Sequence, residues 1–313
     1  MSAAAAPIHP LPLGLWWSNP WVDMGQVVAR TSDLIRWTSD HSLFAAADVV
    51  IVPLASAGHD LPQHRAHDEQ VWVLWSQESI DNYPTLGAPE FVGQFDVTMT
   101  YRLDSDIPIP YFNSRFLDRL SPMLPLGERK TTLLCAWVSS SWDRCNRNDY
   151  LGALVKAMEV HSYGAVHRTR PPTEDRGAAT KRQSLPQYRF TAAFENSMTV
   201  DYVTEKFFQP LLAGSVPVVR GAPNIADFAP SPNSYIDATR FADAQELADH
   251  LNAMSDDEYL QHHTWRHDGS IDRWRQQWAR LEVYPLRRLA AMVPALRMGR
   301  QAALRAQQRI EQR

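Results

Sequence analysis

Four groups of residues in this 313-residue sequence have types and spacings that could do chemistry. The densest is Glu195-Asn196-Ser197 followed by Tyr202-Val203-Thr204-Glu205-Lys206. A lysine at a helix start suits a phosphate, because the ammonium and the free N–H groups attract the same anion. A glutamate and an asparagine beside it suit sugar hydroxyls, so the group outlines a nucleotide-sugar site. A second group, Ser139-Ser140-Ser141 and Arg144-Cys145-Asn146-Arg147, sits in a small polar loop ahead of another predicted helix, again a phosphate-binding arrangement. A third is Glu78, at the carboxyl end of an apolar run, where an acid could deprotonate a hydroxyl or simply be a solvated loop residue. The fourth, Asp104-Ser105-Asp106, invites a metal-binding reading, since paired aspartates can hold Mn²⁺ on a diphosphate.

The elements that must position these groups follow from periodicity. Residues 188–194 read as a buried strand, Asp201 and Thr204 as caps of a helix carrying Phe207, Phe208, Leu211 and Leu212, and Gly214 as its stop. Residues 216–219 give a second strand closed by Gly221, so the whole is a strand–helix–strand unit with parallel strands. In such sheets ligands bind beyond the carboxyl ends of the strands, where helix N-termini present N–H groups. Other strands are expected within 11–17, ended by Ser18-Asn19-Pro20, and at 49–52, 71–75, 131–138 and 160–164, with one more in 95–111. Further helices are expected from Asn148 and over 244–254. Residues 165–187 read as a mobile, irregular loop over the donor site. The Pro, Gly and charge content of 121–130 reads as a linker. The division is therefore 1–125, 126–285 and a basic tail, 286–313.

Composition sets bounds on the class. Hydrophobic content of 44% with 21% charged residues is that of a soluble globular protein, and the length allows two domains. A net charge of −4 gives no reason to expect nucleic acid. Two cysteines make no disulfide framework, no apolar run reaches the ~18 residues of a membrane span, and the start lacks the features of a secretory signal. Most of the eleven tryptophans belong in cores, with some on a carbohydrate-facing surface. The tail carries arginines 287, 288, 297, 300, 305, 309 and 313, with Leu286, Leu289, Val293, Leu296, Leu304 and Ile310 at helical spacing. It suits either an anionic membrane surface or packing on the body, and Pro294 and Gly299 interrupt it.

The stretches F-E-N-S, D-Y-V-T-E-K and L-A-G-S-V-P-V-V-x-G closely resemble the signature of the α1,3-fucosyltransferases, inverting enzymes that use GDP-fucose. The resemblance extends over roughly 36–270 through A-D-V-V, W-x-x-x-E-S around Glu78 and Y-R-x-x-S-D-x-x-x-P-Y. It implies an α/β fold of two Rossmann-like domains facing a cleft (GT-B type). By the same resemblance Arg147, with Arg144 as fallback, and Lys206 neutralise the donor diphosphate. Glu205 and Tyr202 bind ribose or fucose hydroxyls, with Asn196 and Glu195 close by, and Glu78 is the catalytic base. Ser105-Asp106 is then structural, no metal is required, and Mn²⁺ or Mg²⁺ at most stimulates. The implied acceptor is a GlcNAc or Glc hydroxyl of a lactosamine-type, Lewis-like glycan, 3- or 4-linked. Alternatives are a different glycan or glycolipid acceptor, another GDP-hexose, or a binding protein that has lost catalysis. The implied setting is a bacterial-type cytoplasmic enzyme, peripheral on the membrane through the tail.

Overall fold

The computed structural model describes residues 11–17, 22–54, 62–172 and 176–311. The alanine-rich start and the expected strand end at Ser18-Asn19-Pro20 lie outside the described residues. The chain forms two units: the first contains residues up to Ile109 and from Val283 onward, the second Pro110–Glu282.

The first unit is built on a five-stranded parallel sheet, β1 (Leu13–Trp16), β2 (Arg36–Thr38), β3 (Val49–Pro53), β4 (Val71–Ser76) and β5 (Val97–Thr100), in the order β2-β1-β3-β4-β5. β3 is buried along its whole length and β4 nearly so, which is why both read as continuous apolar runs. Helix α1 (Met24–Thr31) starts where the Asp23 carboxylate accepts from Gln26 N, and joins β1 to β2. A single turn, α2 (Pro89–Val92), precedes β5.

The second unit repeats the design. Its strands β6 (Leu134–Ala136), β7 (Val160–Ser162), β8 (Phe190–Phe194), β9 (Val216–Arg220) and β10 (Ile236–Asp237) are all parallel, in the order β10-β9-β8-β6-β7. Helix α3 (Arg147–Ala157) follows β6, α4 (Ala178–Ser184) precedes β8, and α5 (Glu205–Ala213) joins β8 to β9. Thr204 caps α5 and Gly214, at φ 82°, ends it in the left-handed conformation. The expected strand–helix–strand unit is present, in the register Phe190↔Val216 to Phe194↔Arg220. Helices α6 (Ala244–Ala253), α7 (Asp256–Gln261) and α8 (Ser270–Trp278) complete the unit.

Two expectations need correction. The segment read as an irregular loop contains α4, and its end is anchored by buried Leu185 and Tyr188. The division falls at Ile109/Pro110 rather than 125/126, because fully buried Phe112 stacks on both Phe208 and Trp274, each with centroids 4.5 Å away. The supposed linker is knit into the second unit: Ser121 N donates to Leu212 O, and the Arg129 guanidinium donates to Tyr188 O and Tyr259 Oη.

The C-terminal helix α9 (Pro285–Glu311) belongs to the first unit rather than standing apart as a tail. Leu286, Leu289 and Val293 are buried in the same core as Val49, Ile51, Val71 and Val97. Arg287 pairs with Asp33, Arg297 with Asp48 and Glu69, and Arg300 with Asp96. The apolar stripe offered to a membrane is thus taken up by protein packing over about its first three turns. No helix among the described residues is long and apolar enough to cross a membrane.

Candidate functional site

In the second sheet β6 leads to β7 on one side, while β8, β6's other neighbour, leads to β9 in the opposite direction. The point where the winding reverses lies between the carboxyl ends of β6 and β8, where open α/β sheets bind ligands. Both candidate donor groups stand there. Arg147 opens the helix after β6, and Glu195, Thr204, Glu205 and Lys206 follow β8.

The helix N-termini differ from what sequence implies, because each already holds a carboxylate of the chain. At α3, Asp143 accepts from Arg147 N and Cys145 N at 3.0 Å and from Asn148 N at 2.8 Å. Burial pushes that carboxyl upward, yet the three backbone donors hold it below the ordinary aspartate value. At α5, Glu195 accepts from Thr204 N at 2.8 Å and from Thr204 Oγ1 at 2.8 and 2.9 Å. What remains for a phosphate is therefore cationic side chains more than bare helix ends.

Lys206 is the best placed of these. Its Nζ lies 3.2 Å from Glu195 Oε2, 3.5 Å from Glu205 Oε1 and 3.0 Å from Thr204 Oγ1. Burial alone would lower the ammonium's pKa, but Glu195 and Glu205 together hold it above the usual lysine value. Glu205 is the mirror case: burial pushes it up, and Lys206 and Lys181 bring it below the ordinary glutamate value. Glu195 stays raised, since its desolvation outweighs the help from Lys206.

Arg147 is 2% exposed, and its guanidinium is used locally: Nη2 donates to Ser140 O and Trp142 O, and Nε to Asn148 Oδ1. It thereby shapes the loop ahead of α3, on which Trp142 stands 43% exposed. Burial lowers its pKa from a value so high that it stays charged. The fallback, Arg144, is exposed, with its backbone N–H donating to Asn196 O. Asn196 carries a buried Oδ1 with no hydrogen-bond partner among the described residues. Tyr202 is buried, its ring edge-on to Tyr111 at 6.3 Å.

Glu78 stands just past β4 in the first unit, half-buried, its Oε2 accepting from Asn82 Nδ2 at 3.1 Å. Ser76 Oγ accepts from its backbone N–H, so the turn that presents the carboxylate is held at both ends. Near it, the Tyr83 phenol is raised by burial and by the Glu78 charge. The aspartates of the D-x-D element are engaged within the fold. Asp104 pairs with Arg102 at 2.7 Å, and Asp106 accepts from Thr98 N and Oγ1. Among the described residues no group of three or more His, Cys, Asp or Glu side chains could hold a metal ion.

Two contributors escaped the sequence reading. Lys181, on α4, faces Glu205, Lys206 and Glu195 electrostatically, although its surroundings in sequence are charged and unpatterned. Arg220, the residue before Gly221, ends β9 and donates to Cys145 O at 2.5 Å, tying β9 to the loop ahead of α3. An arginine ending an otherwise apolar strand was the available signal.

Comparison with known proteins gives this constellation a family. Residues 12–112 match the model described as fucosyltransferase, N-terminal, and residues 127–293 that of glycosyltransferase family 10 (fucosyltransferase) C-term. A fucosyltransferase-like protein of Arabidopsis thaliana is 37% identical over 207 residues, 65% of this chain and 39% of the relative. A 4-galactosyl-N-acetylglucosaminide 3-alpha-L-fucosyltransferase of Homo sapiens is 33% identical over 278 residues, covering 84% of this chain and 72% of the relative. The crystal structure of an alpha1,3-fucosyltransferase with GDP-fucose shares the fold, with a TM-score of 0.55, 18% identity and 84% of each chain covered. The chain belongs to glycosyltransferase family 10, the fucosyltransferases.

Proposed function

We propose that this chain transfers L-fucose from GDP-fucose, with inversion, to a GlcNAc or Glc hydroxyl of a lactosamine-type glycan. The observation that carries the donor half is the position of Lys206 and Arg147, both just beyond the strand ends at the reversal between β6 and β8. Lys206 meets the diphosphate, and its charge matters most as the leaving GDP gains charge. Arg147 orders the Ser140–Trp142 loop and adds a second positive charge. Glu205 and Tyr202 take ribose or fucose hydroxyls, with Asn196 beside them. Glu78 takes the proton from the acceptor hydroxyl, which then attacks the anomeric carbon opposite the departing GDP. The acceptor follows the human relative, a 4-galactosyl-N-acetylglucosaminide 3-fucosyltransferase.

Further parts of this reading rest on sequence alone. The reaction needs no metal, and Mn²⁺ or Mg²⁺ at most stimulates it. The enzyme works in the cytoplasm, and Arg305, Arg309 and Arg313 give it a peripheral hold on an anionic membrane face. Co-sedimentation with anionic vesicles, abolished when these three become Gln, checks the last point.

The deciding experiment is GDP release from GDP-fucose by purified protein, offered lactose, N-acetyllactosamine, its β1,3-galactosyl isomer or no acceptor, each with and without Mn²⁺. Acceptor-dependent release establishes the transfer, and the preferred isomer assigns 3- or 4-linkage. GDP-fucose binding without turnover on any of these glycans moves the acceptor to another glycan or glycolipid. Absence of GDP-fucose binding overturns the donor assignment.

A further inference from the structure

We infer that Glu195 is a positioning residue, whose buried carboxylate fixes the Lys206 ammonium for the donor diphosphate instead of binding the donor itself. The inference rests on the assignment of Lys206 as the diphosphate ligand. The Glu195 side chain is enclosed, 3% exposed against 22% for Lys206, and what sets it apart is that its polar atoms are already taken. Both carboxylate oxygens are engaged, Oε1 by Thr204 N and Oγ1, and Oε2 by Thr204 Oγ1 and Lys206 Nζ. The Thr204 hydroxyl donates to this carboxylate and accepts from Lys206 Nζ and from Lys206 N, closing a small ring of contacts at the start of α5. The backbone is anchored as well: Glu195 N donates to Arg220 O, and Cys145 Sγ donates to Glu195 O.

Gly221 makes this seat possible. A Cβ added there would lie 2.9 Å from Glu195 Cγ, closer than packed atoms tolerate. The glycine that closes the V-P-V-V-x-G stretch thus leaves space for the carboxylate behind the lysine.

The electrostatic consequence is specific. Lys206 faces Glu195 at the end of β8, Glu205 on its own helix, Arg147 on α3 and Lys181 on α4. Without the Glu195 charge, burial and the two other cations oppose protonation of Lys206, with Glu205 the one anion left among the groups named. The ammonium then loses its proton at lower pH, and its place is no longer fixed.

The test is GDP affinity by calorimetry for wild type, E195Q, K206A and G221A from about pH 7 to 9, below the ordinary lysine value of about 10.4. The readout is the ratio of variant to wild-type dissociation constants, which cancels titration of the nucleotide. E195Q should bind at least about tenfold more weakly at pH 7, and its ratio should grow as the pH rises. G221A should weaken binding in the same direction without removing any charge. Wild-type affinity of E195Q at every pH overturns the inference. If E195Q does not fold, as judged by circular dichroism, G221A decides, and wild-type affinity there overturns it. K206A reports on the parent assignment: wild-type GDP binding by K206A removes the diphosphate role itself. Loss in K206A without loss in E195Q removes the positioning role alone.

Discussion

The guanidinium of Arg129 donates to the Tyr259 hydroxyl at 2.8 Å, joining residues 130 positions apart inside the second unit. The same Nη1 donates to Tyr188 O at 2.9 Å, and Arg129 is 8% exposed. Its removal leaves a buried carbonyl and a buried phenol each short of a donor, at about 1–3 kcal/mol per group. Arg129→Leu should therefore lower the unfolding free energy by about 2–6 kcal/mol in urea, whereas Arg144→Leu, at an exposed site, should stay within about 0.5 kcal/mol. Equal effects of the two would show that the Arg129 contacts carry no net stability.

What sequence revealed here and what it hid differ in range. The 188–221 unit was legible because each signal is local: an apolar run for β8, Thr204 as cap, Phe207 and Leu211 on one helical face, Gly214 as stop. Arg129 in a Pro- and Gly-rich stretch looks like linker, since nothing nearby announces that its partners are Tyr188 and Tyr259. Lys206 was legible as a cation at a helix start. That the N-termini of α3 and α5 are occupied by Asp143 and Glu195 depends on side-chain direction, which spacing does not encode.

Glu78 should separate chemistry from binding. It is the acid at the carboxyl end of β4, on the unit that does not carry Lys206. If it removes the acceptor proton, Glu78→Gln should cut kcat by about 10²–10⁴-fold, the usual contribution of a general base. GDP affinity should change by less than about twofold in the same protein, since the residues proposed to hold the donor are untouched. Calorimetry alongside the GDP-release assay reads both quantities, and parallel losses would assign Glu78 to the structure of the donor site.

Acid should destabilise the second unit through His263. The ring is 5% exposed, neither nitrogen has a protein partner among the described residues, and it lies edge-on near the Tyr259 ring at 5.0 Å. Burial first, then Arg266 and Arg129, push its pKa down to about 3. The sign follows from proton counts: below about pH 6.5 the unfolded chain takes up a proton that the folded one refuses. Stability is fully present above that value and falls by up to about 1.4 kcal/mol per pH unit toward pH 3. Urea unfolding at pH 7 and 5 should show the drop, and His263→Gln should reduce it by close to one proton's worth. An unchanged slope would mean that the ring finds a partner when charged.

The C-terminal helix should behave as part of the first core. Leu289 is fully buried among the residues that pack on β3, β4 and β5, and Arg297 and Arg300 reach acids on the same unit at 2.6 to 2.9 Å. Deleting its branched methyls leaves a cavity that a tightly packed sheet face cannot close, so Leu289→Ala should cost about 2–5 kcal/mol. Exposed Met298→Ala, on the same helix, should cost little. A chain ending at 284 should expose the apolar face of the first sheet, with dye binding and aggregation as the readout. A soluble, cooperatively unfolding truncation would instead show that the first unit completes its core without this helix.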